Sequence, residues 1–349
     1  MTLSNGELGE LLRAAAAEEQ DHRRRALERA AGAVRSWPEE ARDLADADRS
    51  LTELRAVGPW VAARIHAWLD DPPPVPEPDE TRRGYLTLAE VHGVLDADPS
   101  WAAAPCADLQ MHTTFSDGRL PLEEMVELAR AMGRPFVAVT DHSQTLKIAH
   151  GMTPEELATQ GRAIDGMNEV FVANGEPFRV LRSIEVDAFA DGSLDMDEAS
   201  LARLDLVLAA FHSQLRVTKD STDRYLATLR NPGMHVLAHP KARMYGRRVG
   251  LVADWRRVFA EAAALGVAIE LEATPARQDL NVELATIARG EGVRWFSIGS
   301  DAHAAAELGA LPFGLATAAL AGIPRERILN FQPVETVVSW ARELRETRR

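Results

Sequence analysis

The chain has 349 residues, enough for one large domain plus a smaller one, and it can bury a sizeable core without covalent staples. A formal charge of −14 argues against a surface that coats nucleic acid non-specifically, because such binding is mainly phosphate neutralisation. The only cysteine, Cys106, excludes an intrachain disulfide and suits a reducing cytosol. The opening stretch MTLSNGELGELLRAAAAEEQ has neither a basic start nor a continuous apolar run, so a cytoplasmic protein with no membrane partner is expected.

Residues 1–70 alternate apolar and charged positions at helical spacing, as in Leu8, Leu11 and Leu12, then Ala26, Leu27, Ala30 and Val34. A small all-α domain is expected there. It ends in LTELRAVGPWVAARIHAWLDD, where the turn residues Val57, Gly58 and Pro59 separate two short helical patterns. The tract DDPPPVPEPDE is proline-rich and acidic, and residues 71–104 are expected to form an extended linker and connecting segment.

From residue 105 the texture changes to short apolar runs separated by amphipathic stretches of helical length. The runs are ADLQM (107–111), FVAVT (136–140), RVLRSI (179–184), DLVLAAF (205–211), HVLA (235–238), VAIEL (267–271) and RWFSIG (294–299). Strands alternating with helices imply parallel βα units. Seven of them predict an α/β fold with a closed barrel over 105–335, followed by a C-terminal helix over 336–349. An open doubly wound sheet is the competing arrangement.

Nearly every run is followed at once by a residue that binds metals: His112 with Asp117, Asp141 with His142, Glu185, His212, His239, and Asp301 with His303. The C-terminal ends of parallel barrel strands open onto one face, so these scattered residues converge on one pocket. A lone histidine at a strand end is more often structural than a ligand. Here five of the ten histidines share that placement, whereas His22, His66, His92, His150 and His235 do not. Imidazoles mixed with carboxylates suit zinc, manganese or iron, and the number of candidates calls for two or three divalent ions. Such ions can bridge and deprotonate a water while polarising a phosphoryl oxygen, so a phosphate ester is the expected substrate.

A second cluster fits that substrate. Lysine is scarce, yet PKARMYGRR follows His239 directly and sets Lys241, Arg243, Arg247 and Arg248 on the next loop, with Arg277 after the sixth run. A guanidinium fits phosphate oxygens by fork geometry. Lys241, Arg243, Arg247 and Arg277 are the expected substrate contacts, and Asp301 and Arg243 the expected catalytic pair. A solvated charged loop is the bland alternative for Arg247 and Arg248.

The segments DLQMHTTFSDG (108–118), VTDHS (139–143), IEVD (184–187), FHS (211–213), AHP (238–240) and SDAH (300–303) resemble the ordered motifs of the polymerase and histidinol phosphatase (PHP) superfamily. The resemblance implies a distorted seven-stranded TIM-like (β/α) barrel with up to three metal ions. It implies one ion on His112, Glu185 and Asp301, a second on Glu185, His212 and His239, and a third on Asp117, His142 and His303. The family's opening His-x-His is Gln110-x-His112 here. An amide oxygen binds such metals more weakly than imidazole, so the first site is expected to be looser or differently occupied.

AHPKARMYGRR, ATPARQDL and DHSQTLKIAHGM are similar to the PHP domain of bacterial X-family DNA polymerases. RRRALERAAGAVRSWPEE and LTELRAVGPWVAARI resemble their N-terminal helix-hairpin-helix domain, which implies DNA contact at Val57 and Gly58. The first glycine of the hairpin's Gly-x-Gly turn is Ala56, which resists left-handed backbone conformations. A polymerase palm has no room between the two parts, so polymerase activity is not expected. No lysine precedes Lys147, which leaves the first domain without the side-chain amine of a Schiff-base lyase. The expected activity is a metal-dependent phosphoesterase using a metal-bridging hydroxide, acting on DNA as a 3′–5′ exonuclease or 3′-end phosphatase. Phosphatase action on a small metabolite such as histidinol phosphate is the alternative. A non-catalytic nucleic-acid-binding module is the third reading, supported only by Gln110.

Overall fold

A computed structural model describes residues 3–348. Arg349, the last residue of the expected C-terminal helix, lies outside the described residues, as do residues 1 and 2. The chain divides into two compact units, Met1–Pro99 and Ser100–Arg349.

The first unit is all helical: α1 Asn5–Glu18, α2 Asp21–Ala33, α3 Ala41–Asp46, α4 Pro59–Asp70 and α5 Leu88–Ala97. Helix α1 starts where Ser4 and Glu7 close a reciprocal capping box, which satisfies backbone N–H groups that the first turn would leave bare. Leu8, Leu12, Leu27, Trp37, Leu44, Leu51 and Ile65 form its buried core. Each such side chain contributes about 1.5–3 kcal/mol by leaving water. The proline-rich tract is not a linker between the units. Arg82 holds Glu10 of α1 at 2.8 Å and Val75 packs on the core, so residues 71–99 belong to the first unit.

The expected hairpin differs too. Its first half is a single 3₁₀ turn, Leu51–Glu53, and its second is α4. Ala56 sits in the left-handed region at φ +66°, doing what glycine would do there more readily. Val57 is buried, and its N–H donates to the Leu54 carbonyl at 3.1 Å, so neither side chain nor N–H is presented to a phosphate. Gly58, by contrast, is exposed at the N-cap of α4.

The second unit contains all seven expected strands: β1 Asp108–Met111, β2 Phe136–Val139, β3 Arg179–Asp187, β4 Leu206–Ala210, β5 Val236–Leu237, β6 Ala268–Glu272 and β7 Phe296–Gly299. They pair in parallel in the order β1 to β7. β7 returns to β1 through Asp301 N–H donating to the Gln110 carbonyl at 3.0 Å and His112 N–H donating to Ala302 at 2.9 Å. The sheet is therefore a nearly closed TIM-like barrel, not an open sheet. The strands are buried on both faces, which is why they read as continuous apolar runs. Val137, Val139 and Val180 pack with Met125, Val126 and Ile164 of the surrounding helices. Ala138, Leu181, Leu208 and Val236 join Val337 and Ala341 of the C-terminal helix, Val334–Thr347.

His235 precedes β5, at the end of the strand opposite His239, and its role is structural. It is fully buried, and its Nδ1 accepts the Val207 N–H at 3.0 Å. Burial depresses its pKa from 6.5 to about 3. The unfolded chain therefore takes up this proton first. Stability from this group is complete above pH 6.5 and is lost as pH falls from there toward 3. Between pH 7.5 and 5.5 the wild-type barrel is expected to lose about 1 kcal/mol more than a His235→Asn variant. Denaturant unfolding of both proteins at the two pH values checks this, and equal losses would remove His235 as the cause.

Candidate metal centre

The cluster lies at the C-terminal end of the barrel. His112 follows β1 directly, and His142, His212, His239 and Asp301 each follow a strand within three residues. Glu185 is an exception to the expected pattern. It lies within β3, because Val186 and Asp187 continue the pairing with β4, and it projects into the barrel instead of standing beyond the strand end.

Three groups of side chains bring ligand atoms within 4.8 Å of one another: His112, Asp117, His142 and His303; His142, Glu185 and His212; and His112, Glu185 and Asp301. His112, His142 and Glu185 each belong to two of these groups, and Glu185 is the carboxylate among them. Its Oε1 lies 3.0 Å from His212 Nε2 and 2.7 Å from His239 Nε2, and its Oε2 is 3.4 Å from His112 Nε2. His112 Nε2 is also 3.0 Å from Asp301 Oδ1, and His303 Nε2 is 3.2 Å from Asp117 Oδ1. The first and third expected ligand sets are thus brought together, with His112 joining the third. In the second, His239 touches Glu185 but lies outside the tight group, where His142 stands in its place.

These residues fit divalent ions. The Nδ1 atoms of His112, His142, His212 and His239 are buried without a hydrogen bond, a costly state unless something else engages them. The imidazoles of His112 and His303 stack with centroids 4.2 Å apart, and those of His112 and His142 at 4.4 Å. Without cations the charges strain against each other. Burial raises the Glu185 carboxyl, but the imidazoles of His142, His239 and His212 outweigh it and hold the group well below its usual range. For Asp301 the same contest against burial is won by Arg277 and His112. His212 is pushed up to about 9 because Glu185 outweighs burial, whereas burial dominates at His142 and takes it down to about 3.

A supporting layer holds these groups. Asp141, a strand-end candidate, is saturated by other partners: Thr113 N–H at 2.8 Å, Ser116 Oγ at 2.5 Å and Gln160 Nε2 at 2.6 Å. It fixes the loop that carries His112 and Asp117. Gly118 closes that loop, since a β-carbon there would lie 2.6 Å from the His112 carbonyl. Three acids escaped the sequence reading. Asp187 faces His212 Nδ1 at 3.5 Å, and Glu270 and Glu272 are buried on β6. The motif IEVD contains Asp187, but nothing in VAIELEATP separates an inward acid from an exposed one.

Among the expected substrate contacts, Arg277 reaches the cluster, with Nη1 3.5 Å from Asp301 Oδ2. Arg247 is exposed on its loop. Lys241 turns its ammonium to the Leu251 carbonyl at 3.4 Å and over the Trp255 ring. Arg243 is buried, and its backbone N–H lies 3.4 Å from Asp279. Gln110 is buried, with Nε2 donating to Glu185 Oε2 at 2.9 Å.

A nearly closed parallel barrel with imidazoles and carboxylates gathered at its C-terminal mouth defines a class of metal-binding α/β barrels. Within that class, the chain carries a PHP domain: residues 108–235 match that family's model, whose description is "PHP domain". It is 37% identical over 231 residues to the protein "DNA polymerase/3'-5' exonuclease PolX" of Bacillus subtilis, covering 66% of this chain and 40% of that protein. It is 28% identical over 232 residues to the "Probable phosphatase YcdX" of Escherichia coli K12, covering 65% of this chain and 90% of that one. Among solved structures it is similar to a histidinol phosphate phosphatase from Lactococcus lactis crystallised with zinc, L-histidinol and phosphate. That match has a TM-score of 0.42 and 12% identity, and it covers 70% of this chain and 93% of the other. No helix among the described residues is long and apolar enough to cross a membrane.

Because Glu185 belongs to two of the three groups, Glu185→Ala is expected to remove more bound zinc or manganese than Asp117→Ala, which breaks one. Metal content after dialysis, measured by mass spectrometry on both variants, checks this. Equal loss would mean that Glu185 does not bridge.

Proposed function

We propose that the barrel is a metal-dependent phosphoesterase acting on DNA 3′ ends, as a 3′–5′ exonuclease or a 3′-terminal phosphatase. One observation carries the reading: imidazoles and carboxylates from six strands meet at one mouth, beside the guanidinium of Arg277. His112, Glu185 and Asp301 would hold one ion, Glu185, His212 and His239 a second, and Asp117, His142 and His303 a third. Bound there, divalent ions supply Lewis acidity to a phosphoryl oxygen and lower the pKa of water.

The chain's own groups do the rest. Asp117 and His303 are the most exposed members, at 33% and 26%, so substrate reaches the cluster from their side. Arg277, held by Asp301, has a guanidinium fork for a phosphate oxygen. Glu185, Asp301 and His112 are buried and keep water from the inner side.

DNA is favoured by the resemblance to the exonuclease-bearing relative and by a feature of the first unit. Arg23 and Arg64 lie 5.5 and 5.9 Å from the centre of the half-exposed Trp60 ring, next to Gly58. Cations around an exposed aromatic ring suit a phosphodiester with its bases. The second reading, a phosphatase for a small metabolite such as histidinol phosphate, is favoured by the net charge of −14, since a small ester needs no basic track.

Manganese-loaded protein is expected to trim a labelled single strand or a 3′-phosphorylated duplex. Asp301→Asn and His212→Ala should each lower kcat/KM on the order of a hundredfold or more, with the fold retained by circular dichroism. Full activity in either variant would refute the site. Arg277→Ala should raise KM about tenfold, the equivalent of one lost charged hydrogen bond. Trp60→Ala should weaken DNA turnover and leave a phosphomonoester panel unaffected. Good phosphomonoester turnover with neither DNA hydrolysed would select the metabolite reading.

A further inference from the structure

Inside the barrel, two buried oxygens, one from an amide and one from a carboxyl group, flank one spot. Gln110 Oε1 and Glu270 Oε1 are both buried without a hydrogen-bond partner. They lie 3.0 and 2.6 Å from where a β-carbon on Gly299 would stand. Glycine at 299 is what leaves room for the pair, since a side chain would also strike the Gln110 β-carbon at 2.5 Å. The other end of each group is engaged. Gln110 Nε2 donates to Glu185 Oε2 at 2.9 Å, and Glu270 Oε2 accepts the His239 backbone N–H at 2.8 Å.

This amide orientation suits a metal-free Glu185 and opposes an ion beside it, because the N–H hydrogens point toward the pocket. Turning the amide by about 180° exchanges nitrogen and oxygen at almost no steric cost, since the two ends are nearly equal in shape. The nitrogen would then stand on the Glu270 side, near Oε1, and the oxygen would face the pocket of His112, Glu185 and Asp301. With a cation in that pocket the rotation leaves neither acceptor orphaned; without one it would cost Glu185 the Gln110 donor.

We infer that Gln110 and Glu270 act as a unit: Glu270 accepts the Gln110 N–H and so aims the amide oxygen at the ion held by His112, Glu185 and Asp301. The inference rests on the metal-centre reading above. It makes Gln110 an oxygen ligand where the family's motif has an imidazole, and Glu270 its positioning residue. The same carboxylate holds the His239 backbone, so Glu270 links the chain segments of two candidate ligands.

The test measures ion affinity without turnover, by titrating the full-length protein with manganese(II) and reading free ion by electron paramagnetic resonance. Glu270→Gln is isosteric, and its carbonyl end keeps the His239 bond. Its amino end faces Gln110 and forces the amide oxygen away from the ion, so affinity at one site should fall about 10–100-fold with an unchanged melting temperature. The double variant Gln110→Glu/Glu270→Gln should restore it, because a carboxylate accepts from the new amide and still offers an oxygen to the ion. Unchanged affinity in Glu270→Gln, or no recovery in the double variant, overturns the inference. Asp301→Asn separates the two levels. If it weakens binding and Glu270→Gln does not, only the Gln110–Glu270 unit falls. If neither affects binding, the metal centre falls with it. Should Glu270→Gln not fold, anomalous diffraction from wild-type crystals grown with manganese decides. A Gln110 oxygen at roughly 2.0–2.2 Å from an ion supports the inference, and a distance beyond about 3 Å overturns it.

Discussion

A carboxylate buried inside a protein costs several kcal/mol unless other charges or hydrogen bonds compensate it, and Glu185 is such a carboxylate. It has no exposure to solvent, yet its two oxygens contact His212, His239, His112 and the Gln110 amide, which arrive from three other strands. Much of the barrel mouth follows from satisfying this one anion. Asp187 backs His212, Asp301 backs His112, and Arg277 backs Asp301 in turn. The network stays short of full satisfaction, since four imidazole nitrogens make no hydrogen bond. A site so arranged is organised for cations before any arrive.

The apolar runs made the barrel readable because parallel strands covered on both faces carry no alternation to confuse them with edge strands. All seven runs are strands, with ends that differ from the runs by at most three residues. The candidate ligand positions were readable for a related reason: a strand that ends abruptly in His or Asp announces its polar face. Glu185 broke that rule, because strand pairing continues two residues past it. Asp141 obeyed the rule and still turned out to be spent on Thr113, Ser116 and Gln160, since adjacency to a strand end does not say which way a side chain turns. Glu270 and Glu272 were invisible because an inward acid on a central strand looks like an ordinary polar interruption. Among the basic residues, sequence proximity to His239 favoured Lys241 and Arg247, whereas the fold brings Arg277 to Asp301 from the loop after β6.

The first unit shows the same limit at a smaller scale. Proline content suggested an extended tether over 71–104, but composition cannot foresee a long-range partner such as Glu10 for Arg82. Ala56 was expected to resist a left-handed backbone and adopts one nonetheless, at φ +66°, where tertiary packing of Leu54 and Val57 overrides local preference. The turn keeps the hairpin's shape at the expense of local conformational energy, about 1 kcal/mol relative to glycine.

The backbone at His239 and Asp301 adds a constraint independent of ligand chemistry. Both residues lie at positive φ, +25° and +50°, a region that branched side chains avoid. Genetic variation at these two positions is therefore filtered twice, once by the need for a donor atom and once by the torsion angle. Of the substitutions that remove or weaken the donor, Gly and Asn spare the backbone, while Val or Ile disturb the loop as well. A scan that mixed the two kinds would confuse lost chemistry with lost conformation, and only the first kind reports on the site itself.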